Sequence, residues 1–204
     1  ILSGLVGSEM CIRDRLYTTP WPASGIWSKQ KIDGVAALKG LSIRTYDATS
    51  QEVMQKAGAR AENISFADAM PRIVAGDVNA VLSSGDGGAG RKLWEHLPHF
   101  AEINYAMPIS VATMNLQAYQ ALDERSRRAI DQAAAQTETE QWKRIDGRLQ
   151  QNYANMRKNG VAINTAVPSA VRRALRNAAA DSVQAWKTAV GPDAASILKR
   201  GANR

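Results

Sequence analysis

The first half of the chain has the hydrophobic pattern of strands that alternate with helices. Leu41–Thr45 alternates with a period of two, as a half-buried strand does, and Asn79–Ser83 is a short apolar run typical of a buried strand. The predicted elements are, in chain order, a helix capped by Asp33 and stopped by Gly40, the strand Leu41–Thr45, a helix from about Thr49 to Ala57, a strand around Ala61–Ile64, a helix capped by Ser65 that runs to Ala75, the strand Asn79–Ser83, and a helix that starts within Arg91–Leu97. This β-α-β-α-β order predicts a parallel sheet covered by helices.

The segments on either side follow other patterns. Residues 16–30 are rich in proline, glycine and aromatic residues and are predicted to form a loop. Residues 103–115 are β-prone, with Pro108 best placed at an edge or a bend. Residues 116–159 predict one very long helix or two helices in series, ended by Gly160. The apolar stripe of this helical region consists of Trp142, Ile145, Leu149 and Met156.

The C-terminal segment predicts a last strand and further helices. A short strand is expected over Val161–Thr165, and Pro168 opens a helix that breaks at Gly191 and Pro192, before a short terminal helix. The residues predicted to face inward from this helix share a helical spacing: Val171, Leu175, Ala179, Val183 and Trp186.

Arg44 is the residue of Leu41–Thr45 that does not fit a buried strand. The alternation places it near the carboxyl end of the strand, on the face opposite Leu41, Ile43 and Thr45. A charge in a two-sided sheet is costly unless it is paired or faces a cleft. The planar guanidinium suits bidentate capture of a carboxylate, and an ion pair with Asp47 or another acid explains the pattern equally well.

The charge of the chain, +7 in 204 residues, raises nucleic acid and anionic membranes as partners. The excess lies entirely in residues 117–204, which carry 15 Lys and Arg against 8 Asp and Glu. These residues belong to predicted amphipathic helices, where a solvated basic face is the simpler explanation. No apolar run approaches the roughly 20 residues that a membrane-spanning helix needs.

The first fifteen residues do not fit the rest of the chain. Ile1–Arg15 resembles a translated sequencing-adapter tail, and Ser8–Arg15 carries the resemblance. It has no basic start, and Gly4 and Gly7 break its apolar stretch, which argues against a signal peptide. Cys11 is the only cysteine, so the remainder lacks the residues for thiol catalysis, cysteine-ligated zinc or disulfides.

Gly85–Gly90 (GDGGAG) matches the G-x-G-x-x-G fingerprint of dinucleotide-binding proteins between a predicted strand and a predicted helix. The acidic residue expected about 20 positions later is missing, and Arg91-Lys92 follows Gly90 where a P-loop needs Lys-Ser/Thr. A glycine-rich turn that binds nothing, or one that shapes an anion pocket, therefore explains the segment better than a nucleotide site does.

Catalytic and metal-binding sets are also poorly supported. The two histidines, His96 and His99, share one short segment that Pro98 interrupts, with Glu95 as the nearby acid. A surface or capping role is expected for them, and no Ser-His-Asp set can be assembled. The sequence therefore predicts neither an enzyme, nor a metal site, nor a cofactor.

Several segments together resemble one family, the DctP-like solute-binding proteins of TRAP transporters, from about Tyr17 to Lys199. PWPASGIWSKQKIDGVAALKGLSIRT is similar to the family's Pro-rich approach, "DLKG" helix and "IRT" strand. FADAMPRIVAG resembles the helix that follows the pocket phenylalanine, with Asp68 where the family usually has Glu. VNAVLSS stands where many members read V-D-G-x-E-N-P, and LWEHLPHFAEINYAMPISVATMN is similar to the long connecting strand and its approach.

The resemblance implies a two-lobed, periplasmic-binding-protein-like α/β fold that closes on an organic anion and delivers it to the membrane subunits of the transporter. Arg44 falls on the arginine that clamps the ligand carboxylate, and Phe66 falls on the pocket aromatic. Ser83 takes the place of the usual ligand-binding asparagine, so Ser84 or Asp86 is an alternative second recognition point. The implied location is the periplasm.

The resemblance also sets the expected domain organisation. Family members are about half as long again, so the N-terminal lobe with its signal peptide is expected to be largely missing. The expected regions are a non-native tail over 1–15, the α/β core of the second lobe over 16–102, and an inter-lobe strand, a long connecting helix and C-terminal helices over 103–204. In a chain without that lobe, Trp142, Ile145 and Trp186 are expected to be partly exposed.

The first hypothesis for function is thus a solute-binding protein that takes a small carboxylate and has no catalytic activity. The first alternative is a Rossmann-type NAD(P)-dependent oxidoreductase built around Gly85–Gly90. The second is a nucleic-acid binder that uses the basic C-terminal helices.

Overall fold

The computed structural model describes residues 15–202. The adapter-like tail, including Cys11, therefore lies outside the described residues, except for Arg15. The strands are β1 (Tyr17–Pro20), β2 (Ser24–Ser28), β3 (Ser42–Thr45), β4 (Arg60–Asn63), β5 (Ala80–Ser84), β6 (His99–Ala101), β7 (Ile109–Ala112) and β8 (Ala162–Asn164). The helices are α1 (Val35–Lys39), α2 (Ala48–Lys56), α3 (Phe66–Ala75), α4 (Gly85–Ala89), α5 (Leu116–Gln120), α6 (Glu124–Lys158), α7 (Ser169–Ala178), α8 (Ala180–Val190) and α9 (Ala194–Ala202).

The described residues form two compact units. One comprises the chain up to Ala23 together with Ala106–Gln151, and the other comprises Ser24–Tyr105 together with the chain from Asn152 onward. The division expected from the sequence, at residue 102, stays a prediction.

The larger unit, which starts at Ser24, contains a six-stranded mixed sheet in the order β4-β3-β5-β2-β6-β8. Strand β3 runs parallel to β4 and to β5, which confirms the predicted parallel core. Strand β2 is antiparallel to both β5 and β6 and completes the centre of the sheet. The prediction of a loop over residues 16–30 is therefore wrong. Every residue of β2 is buried, so the strand shows no apolar-polar alternation by which to recognise it.

Each face of this sheet packs on a different set of side chains. Ile26, Ile43 and Leu82 face a core shared with α7, which contacts α1 and α2. The neighbouring positions along the strands point the other way, and there Trp27 and Phe100 meet edge to face with ring centroids 5.3 Å apart. Arg44 and Ser83 alternate with Ile43 and Leu82, so they belong to this second face.

Local capping explains several of the predicted helix boundaries. Ser65 Oγ accepts a hydrogen bond from the Asp68 amide at 3.1 Å, as the cap of α3 requires, and Gly76 ends the helix as predicted. Pro71 lies inside α3 without ending it. The helix α1 is capped by Gly34 with no side-chain hydrogen bond, so the expected capping by Asp33 is wrong.

The helix predicted within Arg91–Leu97 is also wrong. Only a single 3-10 turn, Leu93–Glu95, forms there, because Lys92 takes a left-handed conformation with φ of 52° that interrupts the helix. The regular helical turn lies earlier, in α4, where the sequence suggested a glycine-rich loop.

The C-terminal helical segment differs from the prediction by one additional break. The expected helix from Pro168 is divided into α7 and α8 at Ala179. Val171 and Leu175 of α7 are buried as predicted. Val183 is 41% exposed, so its predicted inward position is wrong.

In the smaller unit, strands β1 and β7 form an antiparallel pair. The unit also includes α5 and most of α6, so residues 116–159 form two helices in series, the second of the two predicted alternatives. Glu138 accepts hydrogen bonds from the amide of Thr18, at 3.2 Å, and from its hydroxyl. Trp142 is 49% exposed, and Ile145 is half-buried. Across the part of the chain that the structure describes, no helix is both long and apolar enough to cross a membrane.

Candidate functional site

The candidate site lies where the parallel strands β3, β4 and β5 end. Arg44 is the penultimate residue of β3, Phe66 begins α3 after β4, and Ser84 ends β5 and caps α4. Parallel strands bring their carboxyl ends to one edge of a sheet, and ligands of α/β proteins bind at that edge. The fold thus brings together the residues singled out in the sequence, all within the larger unit.

Arg44 is a buried cation. Its side chain is 7% exposed, and its Nε donates a hydrogen bond to the Ile64 carbonyl at 2.8 Å. Burial, and secondly the charge of Arg91, lower the pKa of Arg44, while Tyr46 acts in the opposite direction. An arginine has an ordinary pKa so high that the group still carries its charge at neutral pH.

No carboxylate of the described residues forms an ion pair with Arg44. Asp47, the partner considered from the sequence, caps α2 by accepting a hydrogen bond from the Ser50 amide at 2.6 Å. Glu62 is the register partner of Arg44 on β4, but Arg72 holds its carboxylate through two hydrogen bonds of 2.8 Å. The alternative that the sequence left open, an ion pair between Arg44 and Asp47 or another acid, is therefore not formed within residues 15–202.

Tyr46, which interacts electrostatically with Arg44, and Tyr105, which interacts with Tyr46, do not supply the missing negative charge. Burial raises the pKa of Tyr46, and burial raises the pKa of Tyr105 to about 12. Both phenols are therefore neutral at neutral pH.

Phe66 is flanked by two guanidinium groups. The Cζ of Arg44 lies 4.1 Å from the ring centroid, and the Cζ of Arg91 lies 4.0 Å from it. Both distances are within the range of cation–π attraction. The ring is half-buried, so it covers the buried arginine from one side while part of its own surface stays accessible.

Arg91 is the site residue that sequence reasoning missed. In the sequence, Arg91 is informative only because it stands after Gly90, where a P-loop requires lysine. Its proximity to Phe66, 25 positions away, follows from the fold. Its Nη1 donates a hydrogen bond to the Gly87 carbonyl at 3.2 Å, and none of the described acids forms an ion pair with it. A basic residue directly after a helix that follows a strand was the available signal, but this signal is weak.

The three alternatives for the second recognition point lie close together at the end of β5. Ser83 is 8% exposed, and Ser84 Oγ accepts a hydrogen bond from the Gly87 amide at 3.1 Å as the cap of α4. Asp86 is half-buried in the first turn of α4. Whether any of them contacts a ligand stays a prediction, as do the roles of Arg44 and Phe66.

The glycines of Gly85–Gly90 are explained by packing. A Cβ atom at Gly88 would overlap the indole of Trp27, and one at Gly85 would overlap the side-chain amide of Asn152. Both glycines are buried in α4. The segment is thus a tightly packed helical turn, and this accounts for its composition without a dinucleotide.

Among residues 15–202, His, Cys, Asp and Glu side chains form no group of three or more that could hold a metal ion. His99 lies on β6, and His96 follows the 3-10 turn. The sequence-based expectation of no metal and no cofactor stays a prediction.

Comparisons with known proteins give one consistent result. The model of the family described as "Bacterial extracellular solute-binding protein, family 7" (DctP) matches residues 24–189. No curated protein sequence matches the chain significantly.

Solved structures of TRAP receptors share the fold. DctP6 from Bordetella pertussis, a receptor that binds pyroglutamic acid, has 25% identity and a TM-score of 0.82, with 93% of this chain and 63% of that chain covered. DctP7 from the same organism, which also binds pyroglutamic acid, has 24% identity and a TM-score of 0.81, covering 91% and 61%. A marine metagenome TRAP protein specific for pyroglutamate has 25% identity and a TM-score of 0.80, covering 91% and 60%. The chain thus spans less than two thirds of the length of these structures.

Proposed function

The chain belongs to the bacterial extracellular solute-binding protein family 7, and on that premise we propose that it captures a small organic acid for a TRAP-type secondary transporter. The similar receptors from Bordetella pertussis and the marine metagenome bind pyroglutamate, a small carboxylate. In this proposal the protein is a binding protein with no catalytic activity. Its partners are the organic acid and the transporter's membrane subunits, and its location is the periplasm.

The observation that carries the proposal is Arg44, a buried cation at the carboxyl end of a parallel sheet with no carboxylate partner among the described residues. A buried charge without a counterion is destabilising, and proteins tolerate it where a ligand supplies the counterion. The Arg44 Nε is already used by the Ile64 carbonyl, which fixes the plane of the guanidinium. The two terminal nitrogens then remain for a carboxylate, in a fork-to-fork arrangement.

Phe66 supports this role by holding the guanidinium in place. A cation stacked on a ring at 4.1 Å loses little attraction when an anion binds at its edge, because the face and the edge of the guanidinium are used separately. In the proposal, Ser83, Ser84 or Asp86 adds a polar contact that selects among acids. The aspartate would favour a hydroxyl group on the ligand, because an ionised carboxylate accepts hydrogen bonds.

The proposal is tested by calorimetric titration of pyroglutamate and a panel of organic acids into the wild-type chain and the Arg44→Lys variant. Lysine keeps the charge but lacks the planar fork, so we expect the affinity to fall by about 2–5 kcal/mol, the range for a truncated buried charge pair. Arg176→Lys is the matched control, because Arg176 is exposed on α7. Equal affinities of wild type and Arg44→Lys for every bound acid would remove Arg44 from the site.

A further inference from the structure

The outward face of α7 carries three arginines and no acid. The residues that α7 buries share one side of the helix: Val171, Leu175 and Ala178. At 3.6 residues per turn, Arg172, Arg173 and Arg176 lie within one arc of about 100° on the opposite side. Arg173 and Arg176 are exposed, and Arg172 is half-buried. No Asp or Glu occurs anywhere in residues 165–179.

The contacts of these arginines leave their charges uncompensated. Arg172 donates hydrogen bonds of 3.3 Å and 3.4 Å to two backbone carbonyls in the segment before the helix. Arg173 donates one of 3.4 Å to the Ser169 hydroxyl. Asp181, the nearest acid in the sequence, is paired with Lys56 at 2.8 Å. Within residues 15–202, no acid forms an ion pair with any of the three arginines.

A basic helix that only meets water is built differently, as α6 shows. Two arginines of α6 each pair with a glutamate four residues away, at 2.9 Å and 3.1 Å. In α7 the residue four positions after Arg172 is another arginine, Arg176, and like charges at this spacing destabilise a helix. The helix dipole favours a cation only in the last turn, which holds Arg176. Solvation alone therefore gives no reason for this arrangement.

The same imbalance extends over the C-terminal part of the chain. Residues 152–204 carry 9 Lys and Arg against 2 Asp and Glu, whereas residues 1–151 carry 17 of each sign. The net charge of the protein therefore comes from the segment that contains α7. A charge concentrated in this way produces a positive potential that attracts anionic surfaces.

The kind of partner follows from what the rest of this face lacks. Its other exposed positions are small or polar, because the branched apolar residues of α7 are buried. A protein interface needs apolar or aromatic residues at its centre, and this face does not supply them. Phosphate groups match it better, because a guanidinium donates two hydrogen bonds to one phosphate. The chain belongs to an extracellular family, so the phosphate-rich surface that it meets is a membrane rather than nucleic acid.

We infer that the outward face of α7 is an electrostatic docking surface for anionic phospholipid headgroups. Each arginine near such a surface raises the binding constant about fivefold, the equivalent of about 1 kcal/mol. The contact uses charge alone, because Val171 and Leu175 belong to the core and are not available for insertion between lipids. The inference does not depend on which acid the protein binds.

The experiment is sedimentation of the full chain with vesicles at low ionic strength. We expect binding to vesicles of phosphatidylcholine and phosphatidylglycerol in equal parts and none to phosphatidylcholine alone. Binding should disappear in about 1 M salt, where the Debye length falls to about 3 Å. The double variant Arg173→Gln with Arg176→Gln should lower the binding constant about 25-fold, because it removes two of the three charges.

Two further variants separate the face of α7 from the overall charge. Arg173→Lys with Arg176→Lys keeps both charges and should keep most of the binding. Arg125→Gln with Lys143→Gln removes the same charge from exposed positions of α6 and should change the binding constant by less than about twofold. Urea unfolding of each variant checks that the fold is intact.

The outcomes that would overturn the inference are distinct from those that test acid binding. No binding to the anionic vesicles, equal binding to phosphatidylcholine alone, or an equal loss in the α6 variant would remove the lipid role from α7. Tighter binding to a double-stranded oligonucleotide than to the vesicles, at equal phosphate concentration, would assign the face to nucleic acid instead. Each of these results leaves carboxylate capture by Arg44 to be judged by its own titration.

Discussion

The ion pair between Arg72 and Glu62 should control how well Arg44 is able to bind a ligand. Arg44 and Glu62 are register partners on β3 and β4, and paired residues of neighbouring strands point to the same face of the sheet. Arg72 on α3 now holds the Glu62 carboxylate with two hydrogen bonds of 2.8 Å. In Arg72→Ala that carboxylate loses its hydrogen-bonded partner. Arg60 still acts on it from the same strand, and Arg44 is the cation that faces it across the strand pair.

The size of the effect follows from the exposure of the pair. Arg72 and Glu62 are 37% and 39% exposed, so deletion of Arg72 should cost less than about 1 kcal/mol of folding free energy. A ligand would then have to displace Glu62 from Arg44, which costs roughly one charge-assisted hydrogen bond, about 1.5–3 kcal/mol. The expected loss of affinity is about 10-fold to 100-fold, much larger than the loss of stability.

The assay is titration of an organic acid that the wild type binds, in Arg72→Ala and in the double variant Arg72→Ala with Glu62→Gln. The double variant should bind almost as well as wild type, because a neutral amide does not compete for Arg44. Urea unfolding of each variant gives the stability for comparison. Unchanged affinity in Arg72→Ala, or a double variant as weak as the single one, would show that Glu62 does not reach Arg44.

Three further predictions concern packing, cofactors and pH. Gly88→Ala should destabilise the protein by about 1–3 kcal/mol in urea unfolding, because its Cβ would overlap Trp27. Gly147→Ala, with open space around it, should stabilise α6 by about 0.5–1 kcal/mol. Equal effects of the two substitutions on the unfolding free energy would count against the packing explanation. Calorimetry should detect no NAD(P) binding, and a micromolar affinity lost in Gly87→Val would restore the oxidoreductase alternative. The raised pKa of Tyr105, about 12 against about 10 in unfolded chains, stabilises the fold at all pH values below 10, and this contribution is lost as the pH rises from about 10 to 12. The unfolding free energy of Tyr105→Phe should therefore fall less over that interval than that of wild type.

The sequence by itself determined the features that depend on neighbours along the chain. The period of Leu41–Thr45 identified strand β3 and placed Arg44 on the face away from Ile43, as observed. Ser65 and Gly76 marked both ends of α3, because caps act within one helical turn. The alternation of these elements also gave the parallel arrangement of β3, β4 and β5, since short connections through a helix leave few other topologies.

The tertiary structure alone decided the features that depend on residues far apart in the sequence. Strand β2 lies between β5 and β6, and its pairing with residues more than fifty positions away has no local signature. The same holds for the charges at the site. Only the fold shows that Glu62 is paired with Arg72, that Asp47 caps a helix, and that Arg91 shares Phe66 with Arg44. A sequence gives the identity of each charged group, but electrostatic energy depends on distance and burial, and chain folding sets both.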